Sequence, residues 1–505
     1  MKFILVNFCI VLYIFLVTNG CQIKRAEDHV EEGAALAKVR CAGCHMVPDP
    51  SLLDKKTWRN GVLPAMAVEF GIEVLQGNIY LNHKTSTISN HDWLTITSYY
   101  ESLAPDSLTG NSKTLSPATG WAVFKLRKPD LDTAQTSGTL MSIISPGENA
   151  VYTSSLNKPG LYKWNHDLKP EMITALASPA VDIDFSHSQQ KIITVMGGMR
   201  ATDGTIGEVF SLSKKPNGDY IKAKVDSTFI RPLQSKPIDY NKDGLTDYVI
   251  CSFGHTKGGL YILKQLKNHQ FVKFPLREVP GATQSLTGDF NNDGWPDVMA
   301  LFAHADEGIW LFTNDKKGGF ETKNILRFPS VYGSSSFQLI DMNNDGKPDI
   351  VYTAGDNSDY SRILKPYHGL YVYLNNGNLT FKKSYFYPIN GCTKAVATDF
   401  DQDGDMDVAT IAFFADFKNN PAESFIYFEN SFNGVKSTLN FKPIAIPVSK
   451  NGRWICMDVN DYDGDGDADV VLGNYSKGFL NEESFKPNWD VHTPFVILEN
   501  KSGPK

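Results

Sequence analysis

The sequence predicts a multidomain protein in which a small all-α domain precedes an all-β domain of seven repeated sheets. Three observations carry this expectation. A Cys-x-x-Cys-His motif spans Cys41 to His45 between two helical patterns. An Asp-rich element recurs five times between Asp239 and Asp469, and a short apolar strand element, usually opened by Gly, recurs seven times between Gly160 and Leu498. A length of 505 residues also exceeds what one core usually serves.

Met1-Lys2 is followed by an almost wholly apolar run from Phe3 to Val17, too short to span a bilayer and right for a signal peptide over residues 1–20. Thr18-Asn19-Gly20-Cys21 resembles a lipobox, which implies lipidation of Cys21 and a tether over 21–26; the alternative is an ordinary signal peptide. The expected location is extracytoplasmic, lipid-anchored to the outer membrane of a diderm bacterium on its periplasmic or cell-surface side. The net charge of −7 excludes a nucleic-acid footprint, which needs clustered Lys and Arg in excess. Of seven cysteines, Cys9 leaves with the signal. Cys251, Cys392 and Cys456 read as buried strand residues, because an odd remainder makes no complete disulfide framework.

Glu27 to Val39 reads as a helix leading into Cys41-Ala42-Gly43-Cys44-His45. Two thiols at this spacing can bond the porphyrin vinyl groups while the adjacent imidazole reaches the iron. A thioredoxin-like pair would want a βαβ setting, and a zinc site a second ligand pair; neither is evident. A loop region follows with Trp58 and Leu63-Pro64-Ala65-Met66, then Ser89 caps an amphipathic helix to about Leu103. This order resembles the class I cytochrome c family over residues 27–108. The resemblance implies one covalent haem c, with His45 as proximal ligand and a downstream Met as distal ligand. Met66 is the choice, with His83 and Met46 as further candidates and an open site as the alternative. A Met/His pair leaves no site for substrate and serves electron transfer.

Residues 109–119 read as a linker and 120–505 as the repeat domain. The Asp element is Asp239/Asn241/Asp243/Asp247, Asp289/Asn291/Asp293/Asp297, Asp341/Asn343/Asp345/Asp349, Asp399/Asp401/Asp403/Asp407 and Asp461/Asp463/Asp465/Asp469, at 50- to 62-residue spacing. Oxygens at positions 1, 3, 5 and 9 with Gly at position 6 place hard ligands around one point, the arrangement that suits calcium, for up to about five ions. A strand rather than a helix follows each loop, which excludes EF-hands. These repeats resemble the FG-GAP/VCBS family, known from the integrin-α-type propeller, and imply a seven-bladed β-propeller of four strands per blade. The last blade lacks an outer strand before the chain ends, and residues 120–126 are expected to supply it.

The resemblance implies that the Asp loops lie on one face and that the longer connections on the other carry Arg200, His255, His304, Asp306, Asp359, Arg362, His368, Trp489 and His492, with Gln284, Lys394 and Arg453 near the axis. A mouth lined this way would take a glycan, a small polar substrate or a protein, or be surface polarity only. No catalytic signature is recognised. The leading expectation is an electron-transfer protein with a redox partner protein and a calcium-stabilised propeller for docking. The alternatives are a sugar or alcohol dehydrogenase passing electrons to its own haem, and a cell-surface binding module for glycan or protein.

Overall fold

The computed structural model describes residues 29–108, 117–130, 134–187, 190–358, 362–431, 439–479 and 486–503; the signal peptide, the tether with Cys21, residues 109–116 of the linker and Asp359 lie outside the described residues. The chain divides into two compact units, one of residues to Gly110 with Ser358–Lys365, the other Asn111–Asn357 with Pro366–Lys505. Among the described residues no helix is long and apolar enough to cross a membrane.

In the smaller unit a helix over 29–41 leads directly into the Cys-x-x-Cys-His turn. The stretch expected as a loop is instead helical throughout: Lys55–Thr57, Trp58–Val62 with a π turn, and Leu63–Glu69. Asp54 starts it by accepting Thr57 N at 2.8 Å. Pro64 falls near the start of the Leu63–Glu69 segment, where proline is tolerated.

The unit is also not all-α, because Ile72–Leu75 and Ile79–Asn82 form an antiparallel hairpin. Gly77 and Asn78 turn it with φ of 79° and 59°, a region these two residue types enter at least cost. The last helix, Asn90–Leu103, is capped by Ser89, whose Oγ accepts Asp92 N at 3.0 Å.

Trp58, Trp93 and Tyr100 fill the core of this unit. A Cβ on Gly33 would stand 2.5 Å from Tyr99 Cβ and 2.7 Å from the Thr95 carbonyl oxygen, so the first and last helices cross here at backbone contact. Gly33→Ala is therefore expected to destabilise this unit by about 1–3 kcal/mol. Urea unfolding followed by tryptophan fluorescence checks this; an unchanged midpoint would refute the close crossing.

The larger unit holds seven antiparallel sheets among the described residues. Their first strands are Thr139–Ser145, Ala180–His187, Pro232–Ile238, Ala282–Gly288, Ser334–Ile340, Cys392–Thr398 and Trp454–Asn460. Each touches the next, and the seventh touches the first, so the sheets close as a seven-bladed β-propeller. Side chains stitch the inner ring: Asp182 accepts Ser235 N, Gln234 accepts Ser285 N, Gln284 exchanges two bonds with Phe337, Gln338 does the same with Ala397, and Asp458 accepts Ile144 N.

Second strands such as Asp297–Phe302 and Asp407–Ala412 are buried along their whole length, since each sheet packs between two others. Seven apolar clusters fill the seven gaps between sheets.

The seven recurring apolar elements form the third strand of every sheet. Gly369 shows why several begin with Gly. Its φ is 156°, and a Cβ there would meet the Tyr387 carbonyl oxygen at 2.1 Å. Phe124–Arg127 pairs antiparallel with Phe495–Asn500 and completes the seventh sheet from the other end of the domain. Ala118–Thr119, which the sequence reading places in the linker, adds a parallel fifth strand against Ile444–Ala445.

Candidate cofactor and metal sites

The 29–41 helix ends on Cys41, whose carbonyl accepts the backbone N–H groups of Cys44 and His45 at 3.2 and 3.3 Å. That turn brings two thiols and an imidazole within five residues. Neither Cys41 nor Cys44 is in a disulfide. Burial and the neighbouring Cys44 push the Cys41 thiol up to about 11. A redox-active thiol pair needs the opposite shift.

His45 Nδ1 lies 2.9 Å from the Met46 carbonyl oxygen. With Nδ1–H donating there, Nε2 is left as the ligating nitrogen. Met66 is half-buried on the Leu63–Glu69 helix. His83 pairs with Glu73 at 2.9 Å, and Met46 adjoins His45.

This unit leaves an unusual amount of apolar surface uncovered. Val39, Val68, Leu75, Ile79, Leu81, Leu94, Leu103 and Leu364 are all exposed, against five exposed large apolar residues in the rest of the described chain. Trp93 Nε1 is buried without a hydrogen-bond partner. Trp58 Nε1 donates to Pro50 O at 2.8 Å and Tyr100 Oη to Pro48 O at 3.1 Å, pinning the segment that follows the motif. Sequence reasoning noted Trp58 and Tyr100 but not these carbonyl partners, which only the folded chain brings near.

The five Asp loops join first and second strands and share one backbone. Position 4 is left-handed in every copy, with φ of 55°, 57°, 55°, 60° and 83° at Lys242, Asn292, Asn344, Gln402 and Gly464. The position-6 glycines follow at 80° to 97°. The position-1 carboxylate of each loop accepts the Gly N–H: Asp239 from Gly244 at 3.0 Å, Asp289 from Gly294 at 2.7 Å, Asp341 from Gly346 at 2.6 Å, Asp399 from Gly404 at 2.9 Å and Asp461 from Gly466 at 3.1 Å.

In the last two loops carboxylate oxygens already converge within 4.8 Å, from Asp399, Asp401 and Asp403 and from Asp461, Asp463 and Asp469. In the fifth loop Asp465 is exposed, and the three converging carboxylates are those of Asp461, Asp463 and Asp469. Asp461 Oδ1 accepts Gly464 N at 2.7 Å, whereas in the fourth loop Asp399 Oδ1 accepts the position-5 N–H, of Asp403, at 3.1 Å. Asp465 Oδ1 accepts Asp467 N at 3.2 Å, as Asp403 Oδ1 accepts Asp405 N at 3.1 Å in the fourth loop, and Asp469 at position 9 completes the fifth set.

The first two loops instead carry Asn241 and Asn291, whose amides donate to Asp243 and Asp293. Asn343 holds the same place in the third, beside Asp345.

Position 9 differs from the rest. Asp247, Asp297, Asp349, Asp407 and Asp469 are fully buried. In four of them one oxygen accepts the N–H of position 2 and the other the N–H of the Asn ending the third strand, as Asp297 does from Phe290 at 3.1 Å and Asn314 at 2.8 Å. This Asp therefore ties its own loop to the second and third strands. Asp247 accepts Gln265 N at 2.8 Å, and the backbone N–H of Tyr240, at position 2, supports its carboxylate as in the other loops.

The mouth expected on the other face is largely used up by the framework. Asp306 bonds Arg277 and Arg327 at 2.6 and 2.8 Å. Arg453 is buried over the Phe413 ring and donates to the Phe413 carbonyl. Trp489 Nε1 donates to Ser476 O, His492 Nδ1 lies 3.2 Å from Gln135 O, and His368 is buried. Gln284 is one of the inner stitches. Lys394 lies near Asp458 in the channel, and Arg362 belongs to the other unit. Arg200 and His255 stay exposed, with the His255 and His304 rings 5.7 Å apart. Cys251 and Cys392 are buried strand residues, whereas Cys456 is half-buried with Sγ 3.3 Å from Ser142 Oγ.

Loops between the first two strands of successive propeller blades define the class: a seven-bladed β-propeller carrying FG-GAP-like repeats. The FG-GAP-like repeat family matches residues 239–300 and 289–352, which hold the first three Asp loops. Two relatives called T-cell immunomodulatory protein homolog, from Plasmodium yoelii yoelii and Plasmodium falciparum (isolate 3D7), are 29% and 30% identical over 136 and 135 residues. Each match covers 24% of this chain and 18% of the relative, so the chain spans under a fifth of the length of these curated relatives. A solved streptogramin B lyase structure aligns over 75% of this chain and 99% of its own, with a TM-score of 0.47 and 10% identity.

Proposed function

We propose that this chain is an exported electron-transfer protein holding one covalent haem c on its N-terminal unit, with a calcium-stabilised propeller that docks a redox partner or binds a ligand. The observation that carries the reading is the turn at Cys41–His45. Two thiols follow a helix end, and the imidazole has one nitrogen engaged by a carbonyl and the other open. The exposed apolar side chains and the orphaned Trp93 Nε1 of the same unit fit a large apolar group with polar edges.

Cys41 and Cys44 would hold the porphyrin, His45 would ligate its iron, and Met66 is the proposed sixth ligand. The bound group supplies one-electron exchange. Met66→His is expected to lower the reduction potential, since thioether ligation raises it. An unchanged potential in a redox titration would remove Met66 from the site.

Calcium fits the Asp loops on their own evidence, namely the two converging carboxylate sets. The export signal over 1–20 and lipidation at Cys21 complete the proposal, placing the protein on an outer membrane. The FG-GAP-like repeats favour a second reading, a binding module for glycan or protein, in which the haem is secondary.

Oxidised and reduced optical spectra of purified protein, with candidate sugars, alcohols and redox proteins added anaerobically, separate these. Reduction by added redox proteins alone is the expected result. Reduction by one sugar or alcohol would make the protein a dehydrogenase, and a spectrum without c-type bands would overturn the reading.

A further inference from the structure

The five Asp loops are not independent of one another. Lys242, at position 4 of the first, places its ammonium 4.7 Å over the ring of Trp295, at position 7 of the second. Asn314 joins the same two loops: its backbone N donates to Asp297 Oδ1 at 2.8 Å and its amide to the Tyr240 carbonyl at 2.7 Å.

Asn344, at position 4 of the third loop, donates to the Gly404 carbonyl of the fourth at 3.4 Å. Gln402, at position 4 of the fourth, donates to the Gly466 carbonyl of the fifth at 3.3 Å. Asn500 repeats the Asn314 bridge, from Asp469 Oδ1 to the Phe400 carbonyl, both at 2.7 Å. Between the second and third loops, among the described residues, no such bond occurs. There Asn375 keeps its amide on Pro348 O of its own blade.

Resting on the reading of these loops as calcium sites, we infer that the sites are coupled in two groups, the first with the second and the third through the fifth. A bound cation fixes the left-handed turn at positions 4 to 6 of its loop. From the third loop onward the side chain reaching that turn belongs to position 4 of the preceding loop, and in the first pair Lys242 holds the adjoining position 7, so one ordering event lowers the cost of the next. The break after the second loop keeps the two groups separate.

The test is calorimetric titration of calcium into chelator-treated full-length protein, compared with Gln402→Ala and Asn292→Ala. Both side chains are exposed at position 4 with φ values of 60° and 57°, a region that Asn enters at less cost than Gln or Ala. Only Gln402 bridges to a following loop.

Gln402→Ala is expected to keep the stoichiometry, flatten the binding curve and weaken part of the sites by about 5-fold or more. Asn292→Ala, which removes an asparagine suited to the left-handed turn of its own loop, is expected to weaken the second site alone and to leave the third, fourth and fifth unchanged. Equal effects of the two substitutions, or none from either, would overturn the coupling while leaving calcium binding intact. No calcium uptake by the parent protein would instead overturn the calcium reading itself.

Discussion

Exchange of both Cys41 and Cys44 for Ser is expected to yield a protein from which all haem is lost on acid extraction, while the propeller remains folded. The thiols are the only groups at the end of the 29–41 helix able to form thioether bonds, and the Cys41 carbonyl bonds that shape the turn are backbone bonds, which Ser preserves. Propeller packing does not depend on them, because its seven apolar clusters draw on residues from Phe124 onward.

The fold readout is therefore independent of the haem readout. Protein produced with a c-type maturation system and run under denaturing conditions gives a haem-stained band for the parent and none for the double variant. A single Cys44→Ser variant is expected to keep reduced staining through Cys41. Haem absent from the parent protein as well would refute the attachment site, whatever the propeller does.

Much of the larger unit can be read from the chain because its signals are local. Asp, Asn and Gly at fixed offsets dictate one loop backbone five times over, and the apolar elements beginning at Gly160, Gly259 and Gly369 each mark a third strand. What fails to show in the sequence is either short or made at a distance. Ala118–Thr119 pairs over two residues, too few for any periodicity. The hairpin Ile72–Asn82 did carry a sign, Gly77-Asn78 between alternating apolar residues, yet its strands are only four residues each.

Helical character around Met66 was hidden by Pro64, which a helix start accepts. In the fifth loop Asp461 accepts Gly464 N, one residue earlier than Asp399 does in the fourth, and its converging set includes Asp469, a difference that the shared spacing does not show. The candidate mouth misled for a different reason. Asp306 looks like a free carboxylate on a loop, but Arg277 and Arg327 reach it from 29 and 21 residues away. Such pairings are a property of blade geometry, and no spacing rule in the sequence encodes them.

Asp407→Ala is expected to cost on the order of 3 kcal/mol or more, with or without calcium. Its carboxylate accepts Phe400 N at 3.1 Å, Asn430 N at 2.8 Å and Tyr427 Oη at 2.8 Å, and the residue is fully buried. Truncation strands three buried donors, at about 1–3 kcal/mol for each left unsatisfied. Asp403→Ala at position 5 of the same loop should behave differently. Its side chain is exposed and joins the converging carboxylates, so its role is ligation. Its cost is expected only with calcium present, about 2.7 kcal/mol when the ion stands at 100 times its dissociation constant, and little in chelator. Urea unfolding of both variants under the two conditions separates the roles, because the clamp acts through protein donors and the ligand through the ion. Equal losses for Asp403→Ala in calcium and in chelator would mean that the loop is held by its own hydrogen bonds and needs no cation.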